Sequence, residues 1–591
     1  MNQTRVFLFF AWLMVATLLW MEWGKWKTAQ DQPATPVAAA TTSSTPDQGS
    51  GVPSAEGLAS PSATVADQTT APSNSAAAAP AVQGTKVTVS TDTLKLVIDG
   101  SKVLRAQLLQ YPQTRDAGAP PVELFNEDPA QLYTAGLAYI AQSGAAPDQS
   151  AVFRPEQPQR DYALTAGQAS LSIPFVWEGN GVRIVRTFTV KRGEYLVGVS
   201  DQVTNTGAAP WTAVVYRQLE RVPPPPVKGG FTNPHAFSLV GAAWRTAAGA
   251  YERRKFDKDY LEDGKLNQDT TGGWAAMLEH HFLSAWVPDA KQPTKVSLDE
   301  RTIGGTQRYL VSETGPSLTV APGQTTATDA RLWVGPKLVK AIKASAIPGL
   351  DSAVDYSRFA PLAVIGSGLF WILSHLHDLL GNWGWSIIGL VVVVKLVLFP
   401  LSSAQYKSMA KMRRFQPRMA QLKERYGEDR AKLQQAMMEL YKKEKINPMG
   451  GCLPTLIQMP IFLCLYWVLN ESVELRQAPW MLWIQDLTAR DPFFILPVLN
   501  VAVMFLTQKL SPNVGMDPTQ AKMMQFMPLI FGVTMAFFPA GLVLYWVTNG
   551  SLSLLQQWWM GRIHGQPVLA KPETDGKGHT KDDLPSKGKG K

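Results

Sequence analysis

The stretch VVVVKLVLFP, residues 391–400, sets a single lysine inside a run that otherwise reads as lipid-facing helix. A charge at the centre of a spanning helix costs about 2.5 to 3.5 kcal/mol on insertion scales, so an intramembrane lysine is by default a functional residue. A plainer reading stands beside it. In a span over residues 383–401, Lys395 lies about 9 Å from the far end at 1.5 Å per residue, within reach of the headgroups by snorkelling.

Working outward, the residues on either side are those of a polytopic membrane protein. Apolar stretches at 383–401, 453–471, 493–509, 523–539 and 541–560 are each long enough, or nearly so, to cross a hydrocarbon core of about 30 Å. Residues 356–382 are apolar too but carry Ser367, Ser374, His375, His377 and Asp378, which suits an amphipathic helix lying in the interface as well as a span. At the other end of the chain, Val6 to Met21 is an apolar run followed by Trp23 and Trp26 where a small-residue cleavage site would be needed. Residues 1–27 therefore read as a retained anchor with an interfacial aromatic belt.

The segment 402–452 fixes the orientation. Between residues 402 and 448 it holds twelve Lys and Arg against five acids, which by the positive-inside rule makes it cytoplasmic. Its Met, Leu and Tyr residues recur at spacings of three and four with Gly427 as a turn, the pattern of a helical hairpin. Lys411, Arg413, Arg414 and Arg418 are its candidate docking residues for a ribosome, a targeting receptor such as the signal recognition particle receptor, or an emerging chain; a merely solvated loop is the competing reading. If 356–382 is interfacial, parity places both termini in the cytoplasm and the region before Tyr356 outside it. The tail, 561–591, is modestly basic and disordered by composition, attractive to RNA or anionic lipid.

Residues 28–84 are Ala, Pro, Ser and Thr with no aromatic and no basic residue, too polar to bury a core, and read as a tether. From 85 to 345 the pattern turns to short alternating runs. VTVSTDTLKLVIDG, VRIVRTFTV after the EGNG turn, YLVGVSDQV and PSLTV carry the two-residue period of strands, so this is a large all-β domain, most simply a sandwich. His235, His280, His281, Glu220 and Glu279 are its only catalytic candidates, and they form no ligand or triad spacing; the adjacent His280 and His281 would point to opposite faces of a strand.

Composition agrees with two unlike halves: a chain of 591 residues with 45% hydrophobic and 17% charged residues has a mean hydropathy of only -0.06. The net charge of +9 sits beside the spans, which points to a membrane surface. Cys452 and Cys464 lie about 18 Å apart along one helix, too far for a bridge, and no metal spacing occurs. There is no GxxxxGK[ST] loop, so neither an ATP motor nor a nucleotide cofactor is indicated. Besides Lys395, the spans carry Thr455, Gln458, Asn500, Thr548, Asn549 and Ser551, which prefer a shared polar interior to lipid. Each alone reads as an interhelical hydrogen-bonding group; together with the lysine they suggest a wet groove, with Tyr545, Trp546 and Met459 as an apolar path beside it.

Four segments carry a resemblance. WGWSIIGLVVVVKLVLFPLSSAQYKSMAKM, INPMGGCLPTLIQMPIFLCLYWVL, SVELRQAPWMLWIQDLTARDPFFILPVLN and FPAGLVLYWVTNGSLSLLQQW resemble the core of the YidC family of membrane protein insertases, collinearly from Phe359 to Trp559. The anchor, tether and β domain match its Gram-negative members, whose extra domain is a supersandwich in the periplasm, not known for catalysis. The resemblance implies a five-helix insertase core plus an anchor helix, in the inner membrane, acting as insertase and folding chaperone. It would move nascent proteins from the cytoplasm through a groove open to cytoplasm and lipid, alone or with the Sec translocon. Lys395 matches the family's positive groove residue, more often arginine; lysine lacks the bidentate fork and deprotonates more easily when buried. A transporter with a midmembrane lysine and an anchored sugar-binding protein are the rival classes; the first would show internal repeats, and none is visible.

Overall fold

The computed structural model describes residues 85–225, 238–249, 251–257, 260–261, 266–354, 356, 360–414, 416–426, 429–443, 453–510 and 518–563. The anchor, the tether, His235, Cys452 and the tail beyond 563 lie outside the described residues.

Alternation in the sequence becomes alternation in burial. Along strand Val182–Lys191 every second side chain from Val182 to Val190 faces the core. Such strands build two sheets of ten and nine strands, almost wholly antiparallel. The long strands Tyr133–Ser143, Trp211–Arg221 and Thr306–Val320 are neighbours in the first sheet, and Val182–Lys191, Leu196–Asn205 and Thr325–Pro336 in the second. One inward position is taken by a charge. Arg186 is fully buried, makes two 2.8 Å bonds to Asp201 within its own sheet, and donates from Nη1 to the carbonyls of Gly100 and Leu137 in the other sheet, both at 2.9 Å. It pins the sheets together with every guanidinium nitrogen hydrogen-bonded, the condition under which a buried ion is tolerated. Arg217 and Glu313 form a second buried pair at 2.8 Å.

The sandwich leads into a short helix α1, Val339–Ala344, and a 3₁₀ turn at Leu350–Ala353. Helix α2 follows, Ala360–Leu380, then α3, Trp383–Val397, and α4, Phe399–Arg414. Over the expected span 383–401 the helix is broken rather than continuous. Helix α3 ends at Val397 and the chain bends by 63° into α4. Pro400 sits in the first turn of α4, where it has no N–H to extend the α3 ladder, which is the local cause of such a bend. Helices α5, Gln416–Tyr426, and α6, Arg430–Lys443, continue the basic segment, with Tyr441 OH reaching Met419 Sδ between them. Helices α7, Leu453–Glu471, α8, Ile495–Leu510, α9, Pro518–Met535, and α10, Ala540–Ile563, complete the helical part.

By length and composition, Pro361–Leu380 within α2 is the one described helix apolar enough to cross a membrane unaided, and α3 with the start of α4 qualifies as a bent pair. The segment read as an interfacial candidate is thus the most span-like single helix. It packs on α7, where Cys464 Sγ donates to Leu362 O at 3.3 Å, while near its far end Asp378 pairs with Lys340 of α1 at 2.6 Å.

A second difference concerns the adjacent histidines. His280 and His281 do not alternate on a strand; they occupy the turn between Trp274–Leu278 and Phe282–Pro288, where the two-residue period no longer applies. Their rings stack at 3.8 Å, and the Nε2 atoms of both approach Asn470 O of α7, at 2.8 and 3.2 Å. With the bond from Ser238 Oγ to Glu471 at 2.7 Å, they join the sandwich to the end of α7.

Candidate functional site

Lys395 lies half-buried on α3, one turn before the bend, and its ammonium donates to Ser553 Oγ of α10 at 2.7 Å. Ser553 in turn donates to Asn549 O, one turn back on its own helix, at 2.7 Å, so its oxygen is free to accept from the lysine. From the other side of the bend Tyr406 OH of α4 donates to Ser553 O at 3.3 Å. Asn549 Oδ1 accepts from Gln458 Nε2 of α7 at 2.9 Å. Lys395, Ser553, Asn549 and Gln458 therefore form one polar seam across α3, α10 and α7, and the bend folds α4 onto it. No carboxylate among the described residues pairs with the lysine.

An aromatic floor adjoins the seam. Trp546 of α10 touches Phe462 of α7 at 4.8 Å and Phe531 of α9 at 5.8 Å, and Tyr545 stacks on Phe462 at 6.3 Å. Tyr545 is buried, whereas Met459 and Leu463 on α7 and Leu396 and Val397 on α3 stand exposed along the flanks. Polar tether points and apolar surface thus run side by side, an arrangement suited to holding a chain with one hydrophilic and one hydrophobic part.

The sequence expectations meet this geometry unevenly. Lys395, Gln458 and Asn549 belong to one network. Asn500 of α8 is buried, but its Nδ2 approaches Met504 Sδ at 3.8 Å on its own helix and makes no bond to the seam. Thr548 bonds back to Leu544 O at 2.8 Å, and Ser551 faces outward. The side chains of Thr455, Lys411, Arg413 and Arg414 lie outside the described residues; Arg418 is exposed on α5. Ser553 and Tyr406 were missed. Ser553 follows Asn549 by one helical turn, a spacing that puts both on one face and that would have flagged it.

At the opposite end of the helices from the basic segment, residues 476–494 brace the helix termini. Asn382 caps α3 through Gly384 N and Trp385 N and donates to the carbonyls of Pro479 and Trp480 at 3.2 and 3.0 Å. Leu487 O and Ala489 O accept from Gly541 N and Ala540 N at 2.9 and 2.7 Å, and Asp491 accepts from Leu496 N at the start of α8 at 2.7 Å. Arg476 Nη2 reaches Pro112 O of the sandwich at 2.8 Å.

Among known proteins, the family described as 60Kd inner membrane protein matches residues 375–566, and the YidC periplasmic domain matches residues 86–372. A membrane protein insertase YidC from Stenotrophomonas maltophilia is 60% identical over 575 residues, covering 96% of this chain and 98% of its own. One from Xanthomonas euvesicatoria is 58% identical with the same coverage. A solved structure of an active YidC insertase with its first transmembrane domain resolved shares 20% identity over 81% of this chain and 93% of its own, with a TM-score of 0.35.

Proposed function

The chain belongs to the YidC family of membrane protein insertases, and from that premise we propose that the seam of Lys395, Ser553, Asn549 and Gln458 is the hydrophilic path by which a substrate's polar end enters the inner membrane. Membrane proteins are the substrates and the inner membrane the site of action. The observation that carries the reading is Lys395, an ammonium held by a neutral hydroxyl at 2.7 Å and by no carboxylate among the described residues. A lysine already paired with an acid would have its charge cancelled; this one keeps its attraction for an incoming carboxylate, strengthened where water is scarce. The exposed apolar flank at Met459 and Leu463 offers the spanning segment a surface while its tail occupies the seam. Tyr545 and Trp546 complete the proposed groove as the floor that shapes it.

The driving force is burial of the substrate helix in lipid, worth about 25 cal/mol per Å² of apolar surface, aided by the membrane potential acting on tail charge. The basic helices α4, α5 and α6 face the cytoplasm in this reading as a docking surface for ribosome, targeting receptor or anionic lipid, with Lys411, Arg413, Arg414 and Arg418 as its proposed docking residues. The sandwich and residues 476–494 face the periplasm, both termini are cytoplasmic, α2 lies at the outer surface despite its span-like length because Asp378 near its end is paired with Lys340 beside the sandwich, and insertion proceeds alone or with the Sec translocon.

The test is insertion of two substrates, alike in their spanning segment but with an acidic or a neutral translocated tail, by Lys395→Glu and Lys395→Gln variants. Lys395→Glu impairs the acidic-tailed substrate most and Lys395→Gln less. Equal insertion of both substrates by Lys395→Glu would remove the charge from the mechanism.

A further inference from the structure

Segment 476–494 carries large apolar side chains that nothing described covers. Leu482 is 67% exposed with Met481 beside it, and Phe493 is 66% exposed with Phe494 beside it. Leu482 and Phe494 have φ of +51° and +55°. Bulky residues avoid the left-handed region, and a backbone held there points from an observed outlier to a function.

Neither knuckle is loose. Trp480 N bonds Ile484 O at 2.9 Å and Ile484 N bonds Met481 O at 3.1 Å, closing the first turn, and Gln485 Nε2 also donates to Leu482 O. Trp483 Nε1 donates to Asp491 Oδ1 at 3.0 Å, which ties the first knuckle to the second, because Asp491 Oδ1 also accepts from Phe493 N at 3.1 Å. The inner side, Ala478, Ile484 and Leu487, is buried over the helix ends. The outward display of Leu482 and Phe493 is thus built into the segment.

Their level along the helix axes says what meets them. Pro479 and Trp480 are bonded to the N-cap of α3, and Phe493 and Phe494 immediately precede the first turn of α8. Both knuckles therefore continue the exposed apolar surface of the helices, Trp385 on α3 and Ile495 and Val498 on α8, outward by one step. Trp385 packs edge-on against Trp480 at 5.7 Å, an aromatic pair of the kind that seats at the boundary between hydrocarbon and headgroups. Exposed Arg115, whose Nη2 lies 3.5 Å from Gln485 Oε1, and Arg490 flank the apolar tips with positive charge.

We infer that Met481–Leu482 and Phe493–Phe494 are two wedges inserted into the outer leaflet of the bilayer, seating the Pro112 edge of the sandwich against the membrane surface. The partner is a phospholipid layer: acyl chains take the four apolar side chains, and anionic phosphates meet Arg115 and Arg490. Arg476 and Gln477, bonded to Pro112 O at 2.8 and 3.1 Å, transmit the anchoring to the sandwich. The inference rests on the outward placement of this segment proposed above, which is tested separately by labelling a Lys291→Cys variant with an impermeant thiol reagent from the outside.

The experiment is spin-label accessibility in proteoliposomes, using the full chain with Cys452 and Cys464 replaced by Ala. Labels at Leu482→Cys and Phe493→Cys are compared with Val498→Cys as the lipid standard and Lys291→Cys as the aqueous one; Met481→Cys serves if Leu482→Cys does not fold. The expected result is an oxygen-to-nickel-chelate collision ratio several-fold above the aqueous standard and near the lipid one. A ratio matching Lys291→Cys, or a site shielded from both reagents by a protein partner, overturns the inference.

Discussion

Lys395 Nζ and Ser553 Oγ meet at 2.7 Å although 158 residues separate them in the chain. The serine positions the ammonium without neutralising it, and that distinction can be measured. Ser553→Ala removes a hydrogen bond to a charged group, a loss of about 1.5 to 3 kcal/mol, and should lower the thermal midpoint in detergent while acidic-tailed substrates still insert. Ser553→Asp hands Lys395 a permanent carboxylate and should depress insertion of those substrates selectively. If Ser553→Asp leaves their insertion intact, the lysine does not act through free charge.

Gln458 and Asn549 supply the seam's second link, a 2.9 Å bond between α7 and α10. Gln458→Leu leaves Asn549 Oδ1 without this donor, and Asn549→Leu does the reverse. A double-mutant cycle on thermal stability should return a coupling of about 0.5 to 1.5 kcal/mol. Strict additivity would mean that water satisfies both amides and that the seam is broken at this point.

In the sandwich, Asp201 holds the buried guanidinium of Arg186 and accepts from Tyr139 OH at 2.7 Å. Asp201→Ala strands that charge and should destabilise the domain by about 3 to 5 kcal/mol, read as accelerated proteolysis of the β region. Replacing both partners, Arg186→Met with Asp201→Leu, should cost less than the single change. The opposite order would show that the attachment of Arg186 to Gly100 and Leu137 matters more than its charge.

Glu474 gives a pH dependence with a definite sign. It lies beyond the end of α7, accepts from Val339 N at 3.1 Å through Oε1, and has no partner for Oε2; burial raises its carboxyl to about 7 from the usual 4.5. Between those values the folded chain binds more protons than the unfolded one, so stability is present below pH about 4.5 and is lost as pH rises through about 7, by on the order of 3 kcal/mol in total. Glu474→Gln should match the parent chain near pH 5 and exceed its thermal midpoint increasingly up to pH 8. Parallel curves would show that the carboxyl does not titrate in this window.

Much of this architecture was legible in the residues, for reasons that differ from element to element. The alternation in Val182–Lys191 is imposed by a sheet with one buried face, so sequence period and burial coincide. Lys395 stands out because of what it costs in lipid. Ser553 does not, since a helical serine ordinarily bonds its own preceding turn, as this one does to Asn549 O, and only tertiary contact adds the lysine. The bend at Leu398 was hidden because FP after an apolar run reads equally as the end of a span. The sandwich's grip on α7 joins residues as distant as Ser238 and Glu471, 233 positions apart, and carries no local signature. Asn500 shows the converse, a polar residue in an apolar run whose contacts stay on its own helix.

The central claim, that substrate passes along the seam side of the helical core, is tested most directly by site-specific photo-crosslinking to ribosome-held nascent membrane proteins. One probe replaces Met459, exposed on α7 next to Gln458; the control replaces Val498, also exposed but on α8, whose Asn500 makes no bond to the seam. The account predicts adducts to the nascent spanning segment from position 459 and few from 498. Equal yields from both positions, or none from 459, would contradict it and return Lys395 to a snorkelling role.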